Sequence, residues 1–175
     1  MNRINDTELL RASRLVLEPL LPSHASRLFA GLSDPRLYLY HAGRPQSVES
    51  LLLRFTQLAA GRSPDGSETW LNWAVRCNDG AYVGWVQATV VGETAIIGYD
   101  IFAEHWRKGY AREACTAMLA SLQSDYRVKS ARAIVDVENT ASIGLLESLG
   151  FDRVWTGPSE DMPGRTDHKY ERRLR

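Results

Sequence analysis

Residues 70 to 102 alternate apolar and polar side chains with a period of two, in three runs at 70–76, 82–91 and 94–102. That period sends successive side chains to opposite faces, as in a half-buried strand, and is not the 3.6-residue period of a helix. Asn78-Asp79-Gly80 and Gly92-Glu93 supply tight turns between the runs. Strands joined by turns this short run antiparallel, so the middle of the chain is a meander. The flanks change period. Ala25, Leu28, Phe29 and Leu32 recur at helical spacing behind Ser23, whose hydroxyl is placed to cap a helix. Val48, Leu51, Leu52, Phe55 and Leu58 mark a second helix over 47–60, ended by Gly61. A strand over 14–20, limited by Pro19, precedes both. Behind the meander follow a helix over 110–124, with Ala111, Ala114, Cys115, Met118 and Leu122 inward, and a strand over 131–137. A helix over 140–149 closed by Gly150 comes next, then strands near 151–155 and 168–172. This is an α/β chain.

No repeat, low-complexity tract or linker divides the 175 residues, so a single domain over 1–175 is expected. The 21 basic and 21 acidic residues balance to a formal charge of zero, which leaves no global field for a phosphate backbone and argues against a nucleic-acid binder. No apolar run approaches the roughly 20 residues that span a bilayer. The start, Met1-Asn2-Arg3-Ile4-Asn5-Asp6, lacks the apolar core of a secretory signal, so a soluble, cytoplasmic protein is expected, off the membrane. Cys77 and Cys115 are too few for a disulfide framework or a multi-cysteine zinc site. His24, His105 and His168 show no metal spacing, so no metal is expected.

The segment 101–114, Ile-Phe-Ala-Glu-His-Trp-Arg-Lys-Gly-Tyr-Ala-Arg-Glu-Ala, runs from a strand through a short loop into a helix. The first amides of a helix lack internal partners and carry the positive end of its dipole. Gly109 and the small Ala111 let an anion approach the backbone, and Arg107, Lys108 and Arg112 add positive charge. Neither the phosphate-binding G-x-x-x-x-G-K-[ST] nor the dinucleotide G-x-G-x-x-G is present. A second constellation follows the next strand: Asn139, Ser142, Gly150 and Phe151 in Asn-Thr-Ala-Ser-Ile-Gly-Leu-Leu-Glu-Ser-Leu-Gly-Phe.

Together the two stretches resemble the GNAT superfamily of acetyl-coenzyme-A-dependent N-acetyltransferases, over roughly residues 14–170. Its pyrophosphate loop reads [Q/R]-x-x-G-x-[G/A]; here Gly109 and Ala111 fit, with Trp106 in the first place. The W-x-K-G-Y-A-x-E-A form and the opening R-L-x-L-x-P-L at 14–20 look like the Rim branch, which includes acetyltransferases of ribosomal-protein N-termini. The resemblance implies a mixed, mostly antiparallel sheet with a splayed parallel pair, flanked by helices. It implies that backbone groups of Ile101, Phe102 and Ala103 pair with the pantetheine arm of acetyl-coenzyme A, that amides from Arg107, Lys108, Gly109, Tyr110, Ala111 and Arg112 hold the pyrophosphate, and that Asn139 reaches the arm. Asn139 also reads as the cap of the following helix.

Acetyl transfer to an amine needs a proton acceptor, a donor for the oxyanion and a donor for the departing thiolate. A backbone N–H on the strand holding Ile101 can serve the oxyanion. The family's frequent tyrosine, four residues before Gly-Phe, is Leu146 here, so Ser142, one turn earlier, becomes the thiolate donor or else a capping hydroxyl. The family's frequent glutamate is missing, with Ala95 and Ile96 in its region. Asp100, on the face of Ile96, becomes the base, or else a carboxylate that orients substrate or pairs with a nearby arginine, and Glu104 is an exposed alternative. The resemblance implies that the connection holding His41 forms part of the acceptor wall, so His41 either meets substrate or is structural; Trp70, Trp73 and Trp85 read as core or wall, with Trp85 a candidate acceptor contact. The expected acceptor is a protein N-terminus or a small-molecule amine, and the protein a monomer or homodimer. The competing readings are a different acyl group and a silent coenzyme-A-binding sensor.

Overall fold

The computed structural model describes residues 7–174; the sequence start at 1–6 lies outside the described residues. The strands are β1 (Leu10–Arg11), β2 (Leu15–Pro19), β3 (Thr69–Cys77), β4 (Tyr82–Val91), β5 (Thr94–Ile101), β6 (Ser130–Asp136), β7 (Asp152–Pro158) and β8 (Thr166–Arg173). The helices are α1 (Ala25–Leu32), α2 (Val48–Leu58), α3 (Tyr110–Ser124) and α4 (Thr140–Ser148). One eight-stranded sheet has the order β1-β2-β3-β4-β5-β6-β8-β7. Every pairing is antiparallel except β5 with β6. That parallel ladder joins only Thr94–Ile96 to Ser130–Arg132 before the strands part.

The alternation of the meander buries both faces of the sheet. Leu71, Trp73 and Val75 of β3 face a core shared with Met118 and Leu122 of α3 and Leu146 of α4. Ala74 of β3, Trp85 of β4 and Phe102 face the other core, with Leu28 of α1 and Phe55 of α2. Each fully buried Leu or Phe stabilises its helix against the sheet by about 1.5–3 kcal/mol. In α2 the apolar stripe is narrower than expected: Leu51 and Phe55 are buried and Leu52 is exposed. Ser47 caps α2 by accepting from the Ser50 amide at 3.1 Å.

Ser23 does not cap α1, contrary to expectation. Pro22 starts a 3-10 turn over Pro22–His24, and the Leu21 amide donates to Nδ1 of His24 at 3.0 Å. The imidazole takes the acceptor role because the turn begins two residues earlier than the serine pattern implies. The third meander strand ends at Ile101, and the Phe102 ring packs in the α1/α2 core directly beneath Gly31.

Gly84 lies where β4 crosses the Asp100 end of β5, and a Cβ there would collide with the Asp100 carbonyl oxygen. Gly144 of α4 has open space around its Cβ position. Gly84→Ala should therefore destabilise by about 1–3 kcal/mol through overpacking, whereas Gly144→Ala should stabilise by about 1 kcal/mol from helix propensity. Thermal melting checks both, with a shift of roughly 2–4 °C for each kcal/mol in a chain this size. A wild-type melting temperature for Gly84→Ala would contradict the β4–β5 approach.

Candidate active site

Where β5 and β6 part, a cleft of about 1210 Å³ opens through the sheet. One end is lined by Trp106, Arg107, residues 109–112 and the start of α4, on the α3/α4 face; the other by residues 37–43, Trp85 and Asp100, on the α1/α2 face.

The α3 end is built to meet an anion. Arg107 (φ 61°) and Gly109 (φ 78°) are both left-handed, which folds the loop back on itself beneath the helix. A non-glycine residue pays for that conformation, so something outside the loop must hold it. Arg14 does. Its Nη1 donates to the Lys108 carbonyl at 2.9 Å, its Nε to Glu113 Oε2 at 2.7 Å and its amide to Glu113 Oε1 at 2.6 Å. The guanidinium also lies 4.8 Å from the Tyr110 ring centroid. The first helical bond runs from the Glu113 amide to the Gly109 carbonyl, so Tyr110, Ala111 and Arg112 precede the ladder, and no side chain caps them. Those amides, with the helix dipole, fit a phosphate. Lys108 does not line the cleft; its side chain turns toward His105.

The strand edge differs from expectation. The amide of Phe102 donates to the Val83 carbonyl of β4, and the Ala103 carbonyl accepts from the Trp106 amide; neither residue lines the cleft. Alternate residues of β5 pair with β4, with Trp85 opposite Asp100, so the peptide groups of Tyr99 and Ile101 face the opening. The Trp106 indole donates to the Ile101 carbonyl at 2.6 Å. Tyr99 and Ile101, not Phe102 and Ala103, therefore present free-edge amides to the cleft.

At the start of α4 the Asn139 carboxamide oxygen accepts from the Ser142 amide at 3.1 Å, so Asn139 caps the helix and lines the cleft as well. The Ser142 hydroxyl neither caps nor bonds back into its helix. It lies 2.6 Å from the hydroxyl of Tyr99, a residue the sequence patterns did not single out. Burial keeps the Tyr99 phenol protonated far above its usual range. Leu146, in the family's tyrosine place, is fully buried.

At the other end Asp100 accepts from Trp85 Nε1 at 3.0 Å through Oδ2 and meets His41 Nε2 at 3.1 Å through Oδ1. Trp85 is thus almost wholly buried and holds Asp100 from the neighbouring strand. Nδ1 of His41 faces the Ala42 carbonyl at 3.0 Å. Both ring nitrogens of His41 face acceptors, which only the imidazolium satisfies. The hydrogen bond to Asp100 accordingly raises the His41 pKa, against the opposing effect of burial. His24 is the contrast: Nδ1 accepts an amide, and burial lowers its pKa. Burial, with Asp100 nearby, pushes the Tyr38 phenol up to about 12. Glu104 lies outside the cleft and is largely exposed. Among the described residues no group of three or more His, Cys, Asp or Glu is placed to hold a metal ion.

Residues 14–152 match the family model described as "Acetyltransferase (GNAT) domain". The chain belongs to the GNAT acetyltransferase family. It is 24% identical over 149 residues to the uncharacterized N-acetyltransferase YoaA of Bacillus subtilis (strain 168), covering 83% of each. Its fold is similar to Mycobacterium smegmatis RimJ in complex with CoA-disulfide (TM-score 0.80, 19% identity, 95% of this chain and 86% of that one). It is also similar to spermidine N-acetyltransferase from Vibrio cholerae in complex with CoA and spermine (TM-score 0.78, 17% identity, 91% and 95%). The mostly antiparallel sheet with one parallel pair is the fold the resemblance implied.

The His41–Asp100 bond has a definite pH signature. A raised native pKa contributes stability fully present below the unfolded value near 6.5 and lost as pH rises through the native value. His41→Gln should lower the melting temperature most at acid pH and converge on wild type in alkaline buffer. Melting curves at several pH values check this; a constant difference would mean that the imidazolium pair is absent.

Proposed function

We propose that this protein transfers an acetyl group from acetyl-coenzyme A to a primary amine, a protein N-terminal α-amine or a small-molecule amine, by direct attack within one ternary complex. The observation that supports this reading best is the cleft itself, with uncapped amides at one end and a held carboxylate at the other. The chain, residues 1–175, would act as one domain. Acetyl-coenzyme A, when bound, supplies an activated thioester. Its pyrophosphate would lie on the amides of 107–112, and its arm along Tyr99 and Ile101.

The chain's own groups do the rest. Asp100 accepts one proton from the ammonium, directly or through water, while Trp85 and His41 fix its two oxygens. A cleft-facing N–H of β5 donates to the carbonyl oxygen as negative charge develops there. The N–C bond forms and the C–S bond breaks. Ser142 donates to the departing sulfur, and the Tyr99 phenol donates in turn to Ser142. Of the two protons the ammonium loses, one ends on the thiol and the other passes to solvent.

Thiol release with a panel of amines tests the activity. Asp100→Asn should lower kcat by roughly 100-fold or more, with cofactor affinity near wild type, and the loss should shrink as pH rises and free amine forms unaided. Full-rate turnover at neutral pH would remove Asp100 from the proton path.

Ser142→Ala should cost about 10- to 100-fold in kcat, the loss of one donor to a developing charge. Tyr99→Phe should lower kcat by a smaller factor, and the double variant should be no slower than Ser142→Ala alone, since the two act in series. Additive losses would place Tyr99 outside this path.

A further inference from the structure

Trp85 touches two opposite charges. Its indole N–H holds Asp100, and the Arg54 guanidinium of α2 lies 5.2 Å from its ring centroid. Asp100 is answered by His41. Arg54 has no carboxylate answer among the described residues: its hydrogen bond is a long 3.4 Å contact to the Gly43 carbonyl. Arg36 is matched by Asp34 and Arg165 by Asp136 and Glu138, while Arg44 bonds the Ser33 carbonyl; of these arginines only Arg54 lies over the indole that holds Asp100. Arg54 lines the cleft, as does Asp100.

The surrounding charges sharpen the point. With His41 protonated, the groups around Trp85 are two cations and one carboxylate. Asp136 also lines the cleft but is committed to Arg165. Asp161, exposed on the β7–β8 connection, is the remaining acidic residue of the lining and forms no ion pair with Arg54. The amine, cationic on arrival and neutral when it attacks, offers Arg54 no negative charge in either state. A second, negative charge on the acceptor can offset Arg54. A guanidinium laid on an indole keeps its planar fork free for a carboxylate.

We propose that the acceptor carries a carboxylate close to its amine, and that Arg54 binds the carboxylate while Asp100 receives the amine. This rests on the acetyl-transfer reading above. Both charges meet one indole, the guanidinium over its face 5.2 Å from the centroid and the carboxylate 3.0 Å from its nitrogen, so a single small acceptor group spans from one to the other. Two sources meet that requirement: the α-carboxylate of a free amino acid, or an acidic side chain at the start of a peptide. A polyamine does not, because its next ammonium meets Arg54.

The test compares matched acceptors by kcat/KM in thiol release: alanine with alaninamide, a C-terminally amidated peptide beginning with Asp with one beginning with Asn, and spermidine. In at least one pair the carboxylate-bearing member should be preferred by roughly 10- to 100-fold, the weight of a charge-assisted bond. Spermidine should be the poorest. The pair that shows the preference identifies the source. Arg54→Gln should bring that ratio near one, and Arg54→Lys should keep part of it. A structural role for Arg54 against Trp85 would slow both members alike and leave the ratio intact, which overturns the proposal. So does equal or better use of neutral amines or spermidine, with acetyl transfer left standing. Thiol release with none of the acceptors overturns the acetyl-transfer reading, and this one with it.

Discussion

Three residues of parallel ladder, Thr94–Ile96 against Ser130–Arg132, join two antiparallel blocks of one sheet. The rest of the site depends on how short that ladder is. Beyond it, β6 turns to β8 through a continuous register from Ser130 to Asp136, while β5 keeps to β4 along its whole length. Neither strand lacks a partner on its outer side, so the inner edges can part without fraying the sheet. Buried peptide groups left unpaired are costly. The Trp106 indole relieves one of them at Ile101, and the others face a cleft where a ligand or water can reach them. A gap in the hydrogen bonding thus becomes an edge open to a ligand.

The loop at the head of α3 shows the same economy on a smaller scale. Its shape is not a local property, because Arg107 adopts a left-handed conformation that its own side chain disfavours. Arg14, 94 residues away in sequence from Lys108, fills that carbonyl and is itself aligned by Glu113 in the first turn of the helix. Glu113 also satisfies the amide of Arg14, so β2 and α3 are tied at the point where the loop turns. The anion-ready amides are therefore oriented before any ligand arrives, which lowers the cost of binding.

Much of this was legible in the sequence and some was not, for physical reasons. The meander and α3 followed from period and turn residues, because those signals are local. Gly109 and Asn139 were found because helix termini have short-range requirements. The Tyr99–Ser142 bond spans 43 residues and depends on how far β5 and β6 diverge, which no spacing records. The His41–Asp100 bond spans 59 and depends on the path of the segment between α1 and α2. Phe102 misled for a related reason: alternation fixes which residues share a face, but only the register with β4 says which peptide groups point into the gap. At His24 a side chain replaced the expected serine, since the 3-10 turn at Pro22 moved the helix entry upstream.

Tyr99 and Asp100 are neighbours in sequence, and the strand sends their side chains to opposite faces of the sheet. Under the acetyl-transfer reading, the amine loses its proton on one face and the sulfur gains one on the other. A single strand carries both groups, and the step between them is one residue, about 3.3 Å along the chain. Their separation is set by the pleat, not by packing between mobile elements. Each is then braced from its own side: Asp100 by Trp85 of the adjacent strand and by His41, and Tyr99 by burial against α3 and by Ser142 of α4. Under that reading the two proton transfers fall to groups on opposite faces of one strand, and the pleat keeps them apart.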